Sequence, residues 1–313
     1  MGKKLQEETP SVTASQAQTD ALLEKVQKQI VENSFDYEDE KLLGTMVESL
    51  GDKRGMVRLG FAEALGSVGK PATPFLLSAL ANHPNPVVRR ASAKTLTLIA
   101  DPQAIPNLIE ALLKDEDTVV KGSAAGALAR TGKVAAPALL KIVASPEYPE
   151  SIKGHAAWAL AFIGAEAKEQ LYKAAKSNSP EVRTAVIGAI ANFTEETPDE
   201  QAFAILSNAL TDENSTVRSE AAAALGKLAY QPAIPKLIEL LQHSYGDIRK
   251  AAALALMKMS DRFAAPVGYD TILDSLQSAL EQESEESVKK VFALAITQLE
   301  RKLEDRNEDD WDD

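Results

Sequence analysis

The stretch VRSEAAAALGKLA, residues 217–229, contains the pattern that decides the fold. A β-branched residue is followed by Arg or Lys and then by a segment rich in Ala and Leu. This pattern recurs at intervals of 30 to 40 residues. The eight pairs are Val57-Arg58, Val88-Arg89, Val120-Lys121, Ile152-Lys153, Val182-Arg183, Val217-Arg218, Ile248-Arg249 and Val288-Lys289. A repeat of this period indicates an array of small units.

Each unit contains two predicted helices. The second helix follows the basic residue, and its apolar positions fall at −1, +3, +4, +7 and +10 from that residue, which form one stripe on a helix. The first helix precedes the pair, as in TPFLLSAL and IPNLIEALL. Clusters of Asp, Asn, Ser and Pro separate the two helices and are typical of turns. The pattern therefore predicts eight helical hairpins.

A single hairpin cannot bury its apolar stripe, whereas stacked neighbours can. The sequence thus predicts an all-α fold, a right-handed α-solenoid of about eight helical hairpin repeats with the Ala-rich second helices in the inner layer. Acidic residues such as Asp115 and Asp212 often precede the basic residue, which predicts a charge ladder between repeats. The T-P-L-H string of ankyrin repeats and the W-x2-L-G-x2-Y string of tetratricopeptide repeats are absent.

The array does not account for the whole chain. Residues 1–20 are polar without a helical period and are predicted to be disordered. Residues 21–303 are predicted to form the α-solenoid, in which segment 21–33 is a helix that caps the first hairpin. Residues 304–313, EDRNEDDWDD, carry seven acidic residues against one arginine. They are predicted to be an acidic tail, either a solubilising segment or a tail that binds a basic partner.

Composition excludes several classes of function. The chain has no cysteine, which excludes thiol nucleophiles of its own and Cys-ligated metals. Its three histidines are few for a metal site, and no metal is expected. The net charge of −12 argues against nucleic acid as a partner, and no apolar run is long enough to span a membrane. Because the N-terminus lacks the apolar run of a signal peptide, the expected location is the cytoplasm.

The outward side of the second helices follows from the same geometry. The position five residues after the basic residue is opposite the buried stripe. In the fourth hairpin this position is Trp158, and Phe162 lies one turn further along. An aromatic residue at helical spacing is often a core residue. Here the stripe is already filled by other apolar side chains, so we expect both rings to be exposed.

Small and basic residues surround this aromatic pair on the predicted inner face. The glycines are Gly122, Gly126, Gly154 and Gly188, and the basic residues are Arg90, Lys94, Arg130 and, on the other side, Lys227. This predicts a shallow apolar slot with a cationic border, which suits a flat amphipathic dianion or a peptide helix with acidic flanks. His155 lies beside the slot, as a surface residue or as a proton donor to a bound ligand.

The repeat pattern resembles that of HEAT-like proteins, with an apolar-x-x-L start in the first helix and D-x(n)-V-R-x-x-A-x-x-A-L-G at the second. The short Ala-rich units, and the segment GHAAWALAFIGAEA at residues 154–167, resemble the phycobilin (phycocyanobilin/phycoerythrobilin) lyase family. The resemblance covers roughly residues 40–300 and is more specific for the repeat class than for the family. Family members include lyase subunits, lyase-isomerases and phycobilisome degradation adaptors.

The resemblance implies a bilin-binding lyase or chaperone that presents an open-chain tetrapyrrole to a cysteine of a phycobiliprotein subunit. Trp158 and Phe162 would stack on this bilin ligand. The basic residues Arg90, Lys94 and Arg130 would pair with its propionates. His155 would be the catalytic proton donor.

The resemblance also bears on cofactors and partners. The attacking thiolate belongs to the acceptor, so a chain without cysteine can act as a lyase, alone or with a second HEAT-like lyase subunit. No tightly bound cofactor is expected. Two alternatives remain open. In the first, the protein would be a non-catalytic adaptor that binds phycobilisome or other proteins on its concave face. In the second, it would be a HEAT-like scaffold without a pigment.

Overall fold

The computed structural model describes residues 10–260 and 268–309. Within these ranges all the regular structure is helical. The α-helices are α1 (Pro10–Val31), α2 (Glu40–Glu48), α3 (Gly55–Val68), α4 (Thr73–Asn82), α5 (Pro86–Ile99), α6 (Ile105–Lys114), α7 (Thr118–Arg130), α8 (Ala136–Ala144), α9 (Glu150–Ile163), α10 (Lys168–Ala174), α11 (Pro180–Glu196), α12 (Glu200–Ala209), α13 (Ser215–Lys227), α14 (Ile234–Leu240), α15 (Gly246–Ser260), α16 (Tyr269–Gln282) and α17 (Glu286–Asp309).

The helices form two compact units, Met1–Ala138 and Leu139–Asp313. In the first unit the second helices of successive hairpins, α3, α5 and α7, pack against one another. In the second unit α9, α11, α13, α15 and α17 do the same. Within each unit, every second helix therefore contacts the next one, as the repeat predicts. The prediction of an all-α solenoid of about eight hairpins is confirmed.

Small residues allow the second helices to approach closely. Between α13 and α15, a Cβ atom added at Gly226 would lie 2.7 Å from the Cα of Ala255. Ala222 and Ala224 are almost completely buried in the same helix. Because the backbones are nearly in contact, a larger side chain at residue 226 would force the helices apart. The Ala-rich composition of the second helices is thus a packing requirement.

Both ends of the array differ from the sequence prediction. Helix α1 begins at Pro10, so residues 10–20 are helical where a disordered segment was predicted for residues 1–20. The part of α1 from Asp20 onward packs against the start of α3, where Arg54 Nη1 donates to Asp20 Oδ2 at 2.9 Å and Leu23 packs over Gly60. Helix α17 continues to Asp309, into the predicted tail 304–313. Residues 1–9 and 310–313 lie outside the described residues, and the domain division itself stays a prediction.

The basic residue of the repeat links one hairpin to the next. Arg183 Nη1 donates to the carbonyl of Ser177 at 2.8 Å, in the turn before its own helix. The Nε and Nη2 atoms of Arg183 each donate to Asp212, in the turn of the next hairpin, at 2.8 Å. The same arrangement joins Arg89 to Asp115 and Arg249 to Glu283. The structure therefore contains the predicted charge ladder at three places in the described residues.

The ladder makes stability depend on pH. Burial alone would raise the pKa of Asp212, but hydrogen bonds from Arg183 and from the Asn214 backbone lower it below its ordinary value of 3.8. A carboxylate whose pKa is lower in the folded chain stabilises the fold above its ordinary pKa, and this contribution disappears as the pH falls through the folded value.

We expect Asp212→Asn to lower the free energy of unfolding by about 1.5–3 kcal/mol at pH 7, because the buried guanidinium loses a charged acceptor. The difference from wild type should shrink as the pH falls below 3.8. Thermal unfolding followed by circular dichroism across a pH series measures both effects. Glu213→Gln is the matched control, since Glu213 contacts the same guanidinium but its side chain is 85% exposed. Equal destabilisation by both variants would contradict the prediction.

Candidate functional site

Trp158 and Phe162 lie on the open side of α9. Their side chains are 53% and 54% exposed, their ring centroids are 5.7 Å apart, and the ring planes are tilted by 35°. Ile152, Ala156 and Leu160 form the buried side of the same helix. The predicted exposure of both aromatic residues is therefore confirmed.

The same position of the repeat is open in the other hairpins. Five residues after the basic residue, the second helices carry Glu63 and Lys94 in the first unit and Trp158, Ala223, Leu254 and Leu294 in the second, all of them exposed. Gly126 and Gly188 occupy the equivalent positions of α7 and α11 and are half-buried. We call this side of the second helices the open face. It is the surface of each unit on which the candidate residues lie.

Two hollows lie between α9 and α11 on the open face of the second unit. The first, of about 540 Å³, is lined by Trp158, Phe162 and Asn192 together with the carboxylates of Glu166 and Glu196; we call it the aromatic hollow. Its polar border within the second unit is thus acidic and amide, whereas the sequence predicted a cationic border.

The second hollow, of about 310 Å³, lies nearer the start of the same helices. Its lining includes Lys153, Gly154, Ala157 and Thr184, and we call it the lysine hollow. Nothing lies within 4 Å of a Cβ atom built on Gly154, so the backbone is open to a ligand there. Lys153 itself is paired with Glu150 on its own helix at 3.1 Å.

Lys227 is engaged by neighbouring polar groups. Its Nζ atom lies 2.8 Å from a carboxylate oxygen of Glu195 and 3.1 Å from Oδ1 of Asn192. Both partners are on α11. A cation held in this way is less available to a ligand than the sequence suggested.

One ring nitrogen of His155 is bound by its own helix. Its Nδ1 atom lies 2.6 Å from the carbonyl oxygen of Ser151, one turn earlier in α9. Because a carbonyl can only accept, Nδ1 carries the proton in this bond. Nε2 is then the nitrogen through which His155 could exchange a proton with a ligand.

The first unit contains the predicted cations. Arg90 and Lys94 line a hollow of about 290 Å³ with Leu59 and Leu98, which are 48% and 58% exposed. In residues 10–260 and 268–309 no ion pair or hydrogen bond of Arg90, Lys94 or Arg130 is found. Cations beside exposed apolar side chains, without local counter-charges, are suited to binding an amphipathic anion.

The structure assigns the candidate residues to both units. Arg90, Lys94, Gly122, Gly126 and Arg130 belong to the first unit, and Gly154, His155, Trp158, Phe162 and Gly188 belong to the second. The second set lies on the adjacent helices α9 and α11.

Sequence reasoning missed Glu220. This residue of α13 is half-buried, and its Oε1 atom lies 3.0 Å from the Cβ position of Gly188 on α11. Burial raises the pKa of Glu220, and no partner of its carboxylate is found in the described part of the chain. A single acidic residue in an Ala-rich helix does not form a recognisable sequence motif. The available signal was its place in the repeat, two residues after the basic residue, which is also the position of His155.

Two further observations concern metal ions and membranes. Across the described residues there is no group of three or more His, Asp or Glu side chains that could hold a metal ion. None of the described helices has both the length and the apolar character needed to cross a membrane.

Comparison with known proteins identifies both the repeat and the family. The HEAT repeat family matches residues 73–161, 169–258 and 203–297. The bilin biosynthesis protein MpeU of Synechococcus sp. (strain WH8020) is 39% identical over 295 residues, which cover 94% of this chain and 97% of that protein.

Solved structures support the fold. The karyopherin Kap121p has a TM-score of 0.59 at 15% identity, over 94% of this chain and 38% of that protein. The complex of CpcE and CpcF of phycocyanin lyase from Nostoc sp. PCC7120 is 20% identical, over 76% of this chain and 94% of that chain, but its TM-score of 0.34 carries no structural argument. The resemblance found in the sequence is confirmed, and the chain belongs to the HEAT-repeat family that includes the bilin biosynthesis protein MpeU.

Proposed function

We propose that this protein is a bilin lyase or bilin chaperone, which holds an open-chain tetrapyrrole on its open face and presents it to a cysteine of a phycobiliprotein subunit. The observation that carries the proposal is the exposed aromatic pair, Trp158 and Phe162. Membership of the same family as a bilin biosynthesis protein supports this choice of ligand.

The aromatic pair offers two exposed apolar rings, side by side on one helix. About half of each ring is exposed to water, so stacking of a conjugated ligand would remove this surface from water. Offset aromatic stacking adds about 0.5–1.5 kcal/mol per pair to the effect of burial. Two adjacent rings can therefore hold a planar pigment without enclosing it, which leaves the reacting end open to an acceptor.

The chemistry of attachment requires a thiol that this chain does not have. In the proposed reaction the acceptor's S–H adds across a carbon–carbon double bond of the bilin. A C–S bond forms, the π bond breaks and a proton is added to carbon, so no oxidant or reductant is consumed. The protein would contribute positioning, and Nε2 of His155 would accept the thiol proton and deliver it to the bilin carbon.

The proposed reaction requires a partner protein that provides the acceptor cysteine. A phycobiliprotein subunit must supply the cysteine, and a second HEAT-like lyase subunit is the further partner we propose. Because free cysteines persist in reducing compartments, the place of action would be the cytoplasm. No tightly bound cofactor is required.

The cations of the first unit form a separate part of the proposal. A bilin carries two propionates, and Arg90, Lys94 and Arg130 have no anionic partner in the described residues. We propose that these cations bind the propionates, while Leu59 and Leu98 contribute apolar contacts. In the first unit Gly122 and Gly126, and in the second unit Gly154 and Gly188, would leave room for a ligand on the helices that carry them.

A second candidate function is a non-catalytic adaptor for phycobilisome or other proteins. The observation that favours it lies beyond the aromatic pair, where Leu254 and Leu294 are exposed on α15 and α17. Lys258 and Lys290 flank these leucines on the same helices. An apolar row with basic flanks suits an amphipathic helix with acidic flanks.

We expect Trp158→Ala to weaken the binding of a free bilin about tenfold, since loss of one stacking surface costs about 1.4 kcal/mol. Titration of the purified protein with phycocyanobilin, followed by the red shift and sharpening of its absorption, measures this affinity. Leu254→Ala is the matched control, because Leu254 is exposed at the equivalent position of α15. Tight binding of an apo-phycobiliprotein with no spectral change in the bilin would favour the adaptor.

We expect reversal of charge in Arg90→Glu/Lys94→Glu to weaken bilin binding about tenfold or more, because these cations pair with propionates. In wild type, replacement of the bilin by its dimethyl ester should cause a similar loss. In the double variant the free acid should lose its advantage over the ester, since two of the cations are gone and the introduced carboxylates repel the propionates. Lys70→Glu, an exposed change elsewhere in the first unit, is the control. If the free acid still binds the double variant better than the ester, the assignment is wrong.

We expect His155→Gln to slow covalent attachment about 100-fold, the lower range for general acid catalysis, with bilin affinity unchanged. The rate of thioether formation on an apo-phycobiliprotein, measured at saturating bilin, separates these effects. A variant that binds more weakly but attaches bound bilin at the wild-type rate would reject His155 as the proton donor. If wild type does not accelerate attachment, the lyase activity itself is rejected.

A further inference from the structure

The two hollows of the second unit lie on either side of one glycine. The lysine hollow is lined by Gly154 and Ala157 of α9 and by Thr184 of α11. The aromatic hollow is lined by Trp158 and Phe162 of α9 and by Asn192 of α11, two turns after Thr184. Gly188 lies midway between these two residues of α11, at a half-buried position. A long ligand that occupies both hollows must therefore pass over or beside Gly188.

The carboxylate of Glu220 lies at this crossing point. Its Oε1 atom is 3.0 Å from where a Cβ atom of residue 188 would be, so it occupies space that the glycine leaves open. α13, which carries Glu220, packs against α11, and α11 packs against α9. The carboxylate thus reaches from the next helix toward the surface on which Trp158 is exposed.

Glu220 is unusual among the acidic residues of this unit. Asp212 and Glu283 are bound by arginines, and Asp199 is bound by Lys168. Glu220 is half-buried without a cation or donor in the described residues, and burial raises its pKa. Because the carboxylate is partly shielded from water, donors from a ligand would stabilise its charged form.

The donors that fit are N–H groups on the edge of a flat conjugated molecule. An open-chain tetrapyrrole has such groups along one edge, since its pyrrole and lactam nitrogens carry protons. With one face on Trp158 and its body over Gly188, this edge would meet Glu220. We propose that the Glu220 carboxylate binds the N–H groups of the tetrapyrrole and thereby sets its register along α11. This inference rests on the proposed function and adds a positioning residue to it.

Glu220→Gln tests the inference through bilin binding. We expect the affinity for phycocyanobilin, titrated as above, to fall about tenfold, and the absorption maximum of the bound bilin to differ from that in wild type. Gly188→Ala should weaken binding as well, because its new Cβ atom would displace the carboxylate and fill the crossing point. Glu200→Gln, an exposed change on the outer side of the unit, should bind like wild type.

The free protein supplies a second readout. Because the carboxylate of Glu220 is partly desolvated without a donor from the described residues, Glu220→Gln should raise the midpoint of thermal unfolding by about 2 °C in the absence of bilin. A residue with a purely structural role would give a lower midpoint, and that result would overturn the inference.

The possible failures are distinguishable. If Trp158→Ala weakens binding while Glu220→Gln leaves the affinity and spectrum unchanged, the inference is wrong and the proposed function stands. If wild type shows no spectral response to the bilin, the proposed function fails and the inference fails with it.

Discussion

The paired arginines of the repeat, Arg89, Arg183 and Arg249, set the rotation of the helices that carry them. Arg183 is held from two sides, by a carbonyl of its own turn and by the carboxylate of Asp212 in the following hairpin. With the start of α11 held in this way, every later side chain of the helix has a determined direction. Five residues further on, 140° around the helix axis, the chain at Gly188 faces away from the core. The recurring ion pair, which touches no ligand, thus determines which residues a ligand can reach.

Close packing supplies the second constraint. Alanine and glycine allow second helices to lie nearly backbone to backbone, as Gly226 and Ala255 show. Adjacent helices then present a continuous surface in which a missing side chain produces a hollow and an aromatic side chain produces a ridge. Trp158 and Gly154 differ strongly in how far they project from the same helix, because the alanines around them form an even surface. A binding surface of this kind needs few special residues.

Periodicity alone predicted the parts of the fold and site that depend on helical phase. The hairpins, the charge ladder and the exposure of Trp158 and Phe162 all follow from counting residues around a helix. Features that depend on contacts between distant residues could not be predicted in this way. Asp20 and Leu23 join α1 to the start of α3, Glu195 and Asn192 engage Lys227, and Glu220 reaches over Gly188. The acidic border of the aromatic hollow comes from Glu166 and Glu196, whose positions depend on how α9 and α11 end.

The open position five residues after each basic residue of the repeat is separated from the groups that hold the array together. Substitutions there change neither the buried stripe nor the ladder, so they are nearly neutral for folding. A lineage of such proteins could exchange tryptophan, leucine, lysine or glycine at these positions one hairpin at a time and explore new ligands without first losing its scaffold. Diversification by single substitutions within an unchanged framework is therefore an evolutionary route that this architecture leaves open.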